Sequence, residues 1–352
     1  MTVTPGGSGA ARASSAMPAN PAMPANPAMP ATSRLTEDEV RLVAEAARWA
    51  PSIHNSQPWR LRRLDDGLAV IEDPSRALPV IDPVGRDRTI SCGAAVLNAR
   101  VALRALGHVP GVEVLPDPAE PTLVGVVRSV GRREAHATDE MLHRMIPLRH
   151  THRRVYRSHV VAEEDLLDLR QAVAAEGARL SVADPGARRR LAHLLRRAVR
   201  NQAADAELQQ EVERWVRRDT GSDIVDGIPL TALGTSPYPV DSLVHGGHRG
   251  VPEAGDVEEE LARSTVLVVS TRDDSRHDWI LAGMALERLL LAATAKGLVA
   301  TFADQALQQH ELRHEVADVL GIWGRPQVLF RIGRALVDAP ATPRRPLEQI
   351  LE

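Results

Sequence analysis

The sequence of 352 residues contains one cysteine and one lysine. The cysteine, Cys92, can form neither an intramolecular disulfide nor a thiolate metal site, so it predicts a small buried side chain in a reducing compartment. Lys296 is the only lysine among 43 basic residues. Any mechanism that uses a lysine nucleophile or Schiff base would therefore depend on this one position.

A strong charge of one sign is also missing, because 43 basic residues face 46 acidic residues, for a net charge of -3. Binding to bulk nucleic acid or to an anionic membrane needs a strongly basic face, so we expect neither partner. No apolar run approaches the roughly 20 residues that cross a bilayer, and the N-terminus lacks the charged and apolar regions of a signal peptide. We therefore expect a cytoplasmic protein of one large domain or two ordinary ones.

The first 33 residues differ in composition from the rest. The hexad Met-Pro-Ala-Asn-Pro-Ala recurs from Met17, Met23 and, in part, Met29. Frequent proline removes amide donors and favours an extended, solvated chain. We interpret residues 1–33 as a disordered tail without catalytic content.

The remaining chain predicts a mixture of helices and strands. A capping box, Thr36 to Glu39, begins the first helix, and Pro51 ends it. Strands are predicted at 59–64, 67–72, 112–115, 122–127, 264–271 and 327–331, with a short apolar stretch at 298–302. Further helices are predicted at 89–106, 135–146, 162–176, 187–201, 207–218, 279–295 and 308–320. Without a strict strand-helix-strand alternation, this pattern predicts an α+β fold.

Two of the predicted helices resemble each other. Gly93-Ala-Ala95 begins one that ends at Gly107, and Gly283-Met-Ala285 begins one that ends at Gly297. The start and the 14-residue interval are the same in both. This similarity suggests a duplicated unit, although two helices of equal length can match by chance.

The most informative segment is Ala50-Pro-Ser-Ile-His-Asn-Ser-Gln-Pro-Trp59. Ser52, Asn55 and Gln57 offer neutral donors and acceptors on a turn that Pro51 and Pro58 stiffen, and Trp59 enters the following strand. Two interpretations stay open for the residues alone. The segment is either a turn that contacts a polar ligand or a turn that caps a helix.

Two arginine-rich segments lie further along the chain. Arg149-His-Thr-His-Arg-Arg154 places three guanidinium groups and the Thr151 hydroxyl within six residues, which suits an anion such as phosphate. Pro343-Arg-Arg-Pro346 is similar in kind. A solvated basic loop is the alternative for both segments.

Together, the three segments resemble the nitroreductase superfamily of FMN-dependent oxidoreductases, in particular its Acg-like branch. Arg149, Thr151 and Arg153 match the family run that holds the FMN phosphate and the pyrimidine side of the flavin. The turn matches the segment that contacts FMN from the other subunit, through Ser52, Asn55, Gln57, Pro58 and Trp59. Arg344 and Arg345, before Pro346-Leu347, resemble the basic pair that completes the phosphate site. Thr301 and Phe302 lie in a stretch, 297–303, that resembles the segment near flavin N5.

The resemblance implies a nitroreductase-like fold of mixed sheet and helices. It also implies an enzyme that passes hydride from NAD(P)H through FMN to an electron-poor acceptor, such as a nitro compound or a quinone. Ordinary members are homodimers, but here the turn occurs only in the first part of the chain and the Arg-x-Thr-x-Arg run only in the second. We therefore expect a fused pseudo-dimer, with a shortened first half at 34–146 and a second half at 147–352. A monomer could then form the flavin site, and a homodimer is the alternative.

Residues 220–255 show no clear periodicity, and in this branch a lid covers the flavin at that position. A permanent lid would exclude nicotinamide, so a flavin-sequestering protein with little turnover is an alternative function. A specialised flavin oxidase or dehydrogenase of a biosynthetic pathway is another. His245 with His248, or His150 with His152, lack carboxylate or thiolate partners at typical metal-site spacing. No Gly-x-Gly-x-x-Gly follows a strand and no Walker A run occurs, so dinucleotide and P-loop folds are unsupported.

Overall fold

The computed structural model describes residues 1–2, 33–157, 160–218, 223–233 and 251–352. Most of the predicted tail, together with residues 220–222 and 234–250 of the predicted lid segment, lies outside the described residues. The fold is α+β, as the sequence predicts. The described helices are α1 Glu37–Arg48, α2 Arg86–Ala105, α3 Ala137–Met145, α4 Glu163–Ala174, α5 Pro185–Ala204, α6 Ala206–Glu213, α7 Ala254–Ala262, α8 Arg276–Ala295 and α9 His310–Leu320.

Two four-stranded antiparallel sheets and one short parallel pair form the rest of the framework. The first sheet has the order β1-β2-β4-β3, and the second has the order β5-β8-β10-β9. Their strands are β1 Trp59–Leu64, β2 Gly67–Glu72, β3 His108–Val114, β4 Leu123–Arg132, β5 Arg179–Val182, β8 Thr265–Thr271, β9 Val299–Phe302 and β10 Arg325–Gly333. The parallel pair is β6 Val216–Arg217 with β7 Ile228–Pro229.

The two large sheets are built on the same plan. In each, a 20-residue helix follows an inner strand, α2 after β2 and α8 after β8, and the next strand lies at the edge of the sheet. The second sheet carries additional elements, because α5, α6 and α7 lie between β5 and β8 and α9 lies between β9 and β10. In the first sheet, short loops join the corresponding strands, β1 to β2 and β3 to β4.

The helices α2 and α8 pack against each other through a reciprocal pair of glycines. A Cβ atom on Gly93 would lie 2.3 Å from the backbone oxygen of Ile280, and a Cβ on Gly283 would lie 2.0 Å from that of Ile90. Both glycines are the eighth residue of their helix. The shared glycine therefore has a physical cause, because any side chain at this position would collide with the backbone of the opposite helix.

The C-terminal segment returns from the second sheet to the first. The Leu61 N–H donates to the carbonyl of Ile350 at 2.7 Å, and the Glu352 N–H donates to the carbonyl of Leu61 at 2.8 Å. These bonds cover the exposed edge of β1. The path of the segment carries Arg344 and Arg345 past the turn that precedes β1.

Most sequence predictions of secondary structure are confirmed within a few residues. The helix predicted at 207–218 is too long, and β5, α7 and the pair of β6 and β7 were not predicted. β5 was missed because Arg-Leu-Ser-Val is too short to show a period, and it forms by pairing with β8. The helix predicted at 207–218 ends at Glu213, because Val216 and Arg217 pair with the segment at 228–229 instead. Cys92 is fully buried, as expected. Over the part of the chain that is described, each helix is too short or too polar to span a membrane.

Candidate functional site

A central cavity of about 930 Å³, measured with its open mouth, lies between the elements of the two sheets. Its wall combines the turn before β1, the first turns of α2, the loop at 151–153, and the segments at 302–308 and 327–328. Four of the residues predicted to hold FMN line it: Ser52, Thr151, Arg153 and Phe302.

The turn before β1 has an unusual backbone. His54, Asn55 and Gln57 all have positive φ angles, of 47°, 55° and 48°, which side-chain-bearing residues adopt rarely. The Gln57 N–H donates to the Ser52 hydroxyl at 2.9 Å, which closes the turn. Backbone conformations of this kind cost free energy and persist only where the surrounding packing enforces them. They are common at ligand sites.

The side chains of Asn55 and Gln57 bind protein backbone at this turn. Asn55 Nδ2 donates to the carbonyls of Gly227 and Pro343, both at 3.0 Å. Gln57 Nε2 donates to the carbonyl of Val225 at 2.9 Å, and its Oε1 accepts from the Arg345 N–H at 2.8 Å. Both residues are buried. The structure therefore uses them to tie the turn to two distant segments.

One of those segments is the strap, residues 223–233, which belongs to the predicted lid. Asp226 forms ion pairs with Arg76 and with Arg217, whose Nε lies 3.2 Å from Asp226 Oδ1. Both guanidinium groups lie over the Trp215 ring, with 5.2 and 5.8 Å between guanidinium carbon and ring centroid. These two arginines hold the pKa of Asp226 below its usual value, although burial opposes them. The strap is thus clamped beside the cavity, whose wall it joins through Ile228.

Arg149 and Arg344 form a buried arginine pair next to the cavity. Both donate to the carbonyl of Trp49, at 3.4 and 3.2 Å. The Nε atoms of both are buried without a hydrogen-bond partner. Burial and the charge of Arg149 lower the pKa of Arg344 to about 9.

One carboxyl group, that of Glu287 on α8, faces the arginine pair among the described residues. Its Oε1 lies 3.6 Å from Arg149 Nε, and the Asn98 side chain of α2 is its other polar neighbour. Glu287 is fully buried, and this burial raises its pKa to about 7. Two buried guanidinium groups therefore face one partly ionised carboxyl group, which leaves their positive charge unbalanced.

The remaining predicted site residues have structural contacts. The Thr301 hydroxyl bonds to Tyr156 Oη at 2.7 Å and to the carbonyl of His152. Trp59 is fully buried in the hydrophobic core that α1 and α2 form with the first sheet. The Pro58 carbonyl accepts the N–H of Asp73 at 3.0 Å. Arg345 Nη2 donates to the carbonyl of Gln349 at 3.2 Å. None of these residues lines the central cavity.

The sequence analysis missed three titratable residues of the cavity wall, His54, Asp87 and Asp304. Burial, together with the charge of Arg153, lowers the pKa of His54 to about 4, so its imidazole is neutral at pH 7. Burial and the charge of Asp87 raise the pKa of Asp304 to about 8. His54 lay within the informative turn, but nothing in the sequence distinguished the two aspartates from surface residues.

The histidine pairs considered as metal ligands give no metal centre in the described residues, where no cluster of three or more potential ligands occurs. His152 is buried with its ring edge against Tyr156, at a centroid distance of 5.1 Å. His150 Nδ1 lies 3.0 Å from the carbonyl of Leu148. His245 and His248 lie outside the described residues.

A second cavity, of about 940 Å³, lies at the C-terminal end of α8. Arg149, His150, Arg157 and Arg334 contribute to its wall, but the turn before β1 does not. The second cavity joins the arginine-rich segment to the stretch at 297–303, whereas the central cavity also includes the turn before β1.

Comparison of the chain with known proteins finds a matching family model and several similar proteins. A model described as the nitroreductase family matches residues 148–334. Two Mycobacterium tuberculosis proteins are similar over most of the length. “Putative NAD(P)H nitroreductase Rv3131” is 34% identical over 321 residues, which cover 90% of this chain and 91% of that protein. “Putative NAD(P)H nitroreductase acg” is 32% identical over 328 residues, which cover 90% of this chain and 96% of that protein.

Among solved structures, one similar protein is the FMN-dependent nitroreductase NfnB from Mycobacterium smegmatis, in complex with NADPH. It is 18% identical, the match covers 60% of this chain and 96% of that one, and the TM-score is 0.37.

Proposed function

Because the chain belongs to the nitroreductase family, we propose that it is an FMN-dependent oxidoreductase that passes hydride from NAD(P)H to an electron-poor acceptor. The relatives carry NAD(P)H nitroreductase in their names, and a nitro compound or a quinone is the acceptor class that this chemistry suits. FMN, when bound, supplies the hydride-accepting and hydride-donating chemistry, and the protein supplies binding, orientation and charge.

The observation that carries the proposal is the meeting of two separate motifs at one cavity. Ser52 comes from the turn before β1, and Thr151 and Arg153 come from the arginine-rich loop, about a hundred residues later. Phe302 adds an apolar wall. We propose that this arrangement is one composite flavin site, formed by two related halves of a fused pseudo-dimer.

The unbalanced charge of the arginine pair supports a phosphate in the same site. A phosphate group would offer acceptors for the buried guanidinium N–H groups and negative charge for Arg149 and Arg344. Arg149 lies two residues before Thr151, which lines the central cavity, and Arg344 is joined to the turn before β1 by its bonds to the Trp49 carbonyl and to Asn55 Oδ1. The residues present therefore fit an FMN whose phosphate lies at the arginine pair.

The other cavity residues have roles that follow from their chemistry. Arg153 places positive charge at the wall, where it would stabilise negative charge on the pyrimidine side of the reduced cofactor. The Thr151 hydroxyl and the Ser52 hydroxyl are positioned for hydrogen bonds to the cofactor. Asn55, Gln57 and Arg345 would act indirectly, since they hold the turn, the strap and the C-terminal segment together.

Anaerobic reduction tests the function. We expect the purified protein, loaded with FMN, to lose its visible absorption when NADPH or NADH is added without oxygen, and to recover it when a quinone or nitroaromatic is added. If the protein binds FMN but only dithionite reduces it, the proposed NAD(P)H oxidoreductase activity is contradicted. Protein that binds no FMN would contradict the flavin site as well.

The clamped strap favours a second candidate function, in which the chain binds FMN but turns over slowly. The strap contributes Ile228 to the cavity wall, and Asn55, Gln57 and the ion pairs of Asp226 all hold it in place. A strap that stays closed would limit the access of nicotinamide to the flavin. Reduction by dithionite with very slow reduction by NADPH would support this flavin-sequestering function.

Removing the clamp tests whether the strap controls access. In Asp226→Asn, two charge-assisted contacts are lost, each worth about 1.5 to 3 kcal/mol, so we expect the strap to open at least about tenfold more often. Hydrogen exchange at 223–233 should accelerate, and the rate of anaerobic reduction by NADPH should rise with it. Asp65→Asn, which breaks the exposed ion pair with Arg34, is the matched control and should change neither. Faster exchange with an unchanged reduction rate would contradict control by the strap.

A further inference from the structure

Three aspartates surround one buried arginine at the wall of the central cavity. Arg86 donates through Nε and Nη2 to Asp87 Oδ1, at 3.0 and 2.7 Å. Asp82 accepts the backbone N–H groups of Asp87 and Arg88 at the start of α2, at 3.1 and 2.9 Å. Asp304, which follows β9, is close enough for its charge to interact with those of Arg86 and Asp87. Asp82 is buried and Asp87 and Asp304 are half-buried. Three carboxyl groups therefore share one guanidinium group in a place where burial disfavours their charged forms.

Of the three, Asp87 and Asp304 line the cavity, and their hydrogen bonds differ. Asp87 Oδ1 accepts from Arg86, and its Oδ2 accepts from Gln308 Nε2 at 3.2 Å. Asp304 Oδ1 accepts one N–H, that of Leu329 on β10, at 2.6 Å. Its Oδ2 accepts no hydrogen bond from the described residues.

The charges around Asp304 agree with this difference. Burial and the negative charge of Asp87 raise its pKa to about 8, against the smaller opposing effects of the Leu329 N–H and Arg86. Burial raises the pKa of Asp82 to about 7. Asp82 does not line the cavity. His54, across the cavity, has its pKa lowered to about 4 and carries no extra proton at pH 7.

We propose that Asp304 is the proton donor to the electron acceptor in the central cavity, and that the preferred acceptor is one, such as a quinone, whose reduction consumes a proton as well as a hydride. Asp87, which accepts hydrogen bonds from Arg86 and Gln308, opposes the ionisation of Asp304 through its negative charge. This inference rests on the proposed function, because the hydride comes from the flavin after its reduction by NAD(P)H.

The step balances as follows. A quinone becomes a hydroquinone by gaining two electrons and two protons. The hydride brings both electrons and one proton, and the second proton leaves Asp304 as its O–H bond breaks and a new O–H bond forms on the quinone oxygen. Asp304 is left as a carboxylate, and solvent returns its proton through the open mouth of the cavity.

Two acceptors separate proton donation from electron transfer in the FMN-loaded protein. We expect Asp304→Asn, which keeps an oxygen for the Leu329 N–H, to reduce 1,4-naphthoquinone at least about tenfold more slowly than the wild type. Ferricyanide takes single electrons without a proton, so its reduction should be unchanged. In the wild type, the rate of quinone reduction should fall as the pH rises through about 8, because Asp304 then loses its proton. The variant should show no such fall, and Asp304→Glu should restore part of the rate.

A second readout needs neither cofactor nor turnover. The infrared difference spectrum between pH 7 and pH 10 of the FMN-free protein should contain the C=O stretch of protonated carboxyl groups, to which Asp82, Glu287 and Asp304 contribute. Asp304→Asn should reduce that band by the share of one carboxyl group. Quinone reduction at the wild-type rate in Asp304→Asn, or an equal loss with ferricyanide, would overturn the assignment. So would the absence of the infrared band, or a band that Asp304→Asn leaves unchanged. Failure of the wild type to bind FMN would instead count against the proposed function, and the infrared result would still report on the proton of Asp304.

Discussion

We expect Arg149→Ala to bind FMN about a hundredfold more weakly than the wild type. The guanidinium of Arg149 is buried, and it shares the Trp49 carbonyl with Arg344. Each hydrogen bond to a charged group contributes about 1.5 to 3 kcal/mol, so the loss of this side chain from a phosphate site costs about 3 kcal/mol or more. Fluorescence titration of the FMN-free protein with FMN measures the change.

Riboflavin, which lacks the phosphate, distinguishes a lost phosphate contact from a damaged fold. The wild type should prefer FMN to riboflavin strongly, and Arg149→Ala should lose most of that preference while its affinity for riboflavin changes little. Arg154→Ala is the matched control on the same loop, since Arg154 donates only to the carbonyls of Asp338 and Thr231 in the described structure. An unchanged preference for FMN in Arg149→Ala would contradict a phosphate at the arginine pair.

Gly283→Ala should have the largest effect on stability. The added Cβ would lie 2.0 Å from the Ile90 oxygen and 3.0 Å from the Ala94 nitrogen, both backbone atoms of α2 that cannot rotate away. The helices α2 and α8 must then separate, and overpacking of this kind costs about 3 kcal/mol or more. Because Ile90, Ala94 and Leu286 line the central cavity, we also expect weaker FMN binding. Urea unfolding measures the loss of stability.

The control for this prediction is Gly255→Ala. Gly255 lies in the first turn of α7, and a Cβ there would meet nothing within 4 Å. We expect no loss of stability and a gain of up to about 1 kcal/mol, since alanine reduces the freedom of the unfolded chain. Equal unfolding midpoints for Gly283→Ala and the wild type would show that the two helices do not need the close approach at Gly283.

Local sequence signals predicted much of the fold. The bounds of β1 and β2 were predicted to the residue, and the capping box at Thr36 is present, with the Glu39 N–H donating to the Thr36 hydroxyl at 3.2 Å. The repeat of Gly93 at Gly283 was also visible. Its cause was not, because the contact of each glycine with the opposite helix depends on how α2 and α8 cross.

The site was predicted less completely, because its contacts join segments far apart in the chain. The family resemblance assigned Asn55 and Gln57 to the cofactor, whereas the structure pairs them with Gly227, Val225 and the C-terminal segment. Whether a polar side chain faces a ligand or a distant backbone carbonyl depends on packing that a short motif does not encode. Asp304 was missed for a similar reason, since the burial that raises its pKa comes from elements distant in sequence.

The most direct test of the composite site is native mass spectrometry of the full chain with FMN, at a concentration where single chains predominate. A composite site formed within one chain predicts a monomer that carries one FMN. It also predicts that Arg149→Ala, under the same conditions, carries much less. An FMN that binds only to dimers, or no FMN on any species, would contradict the account.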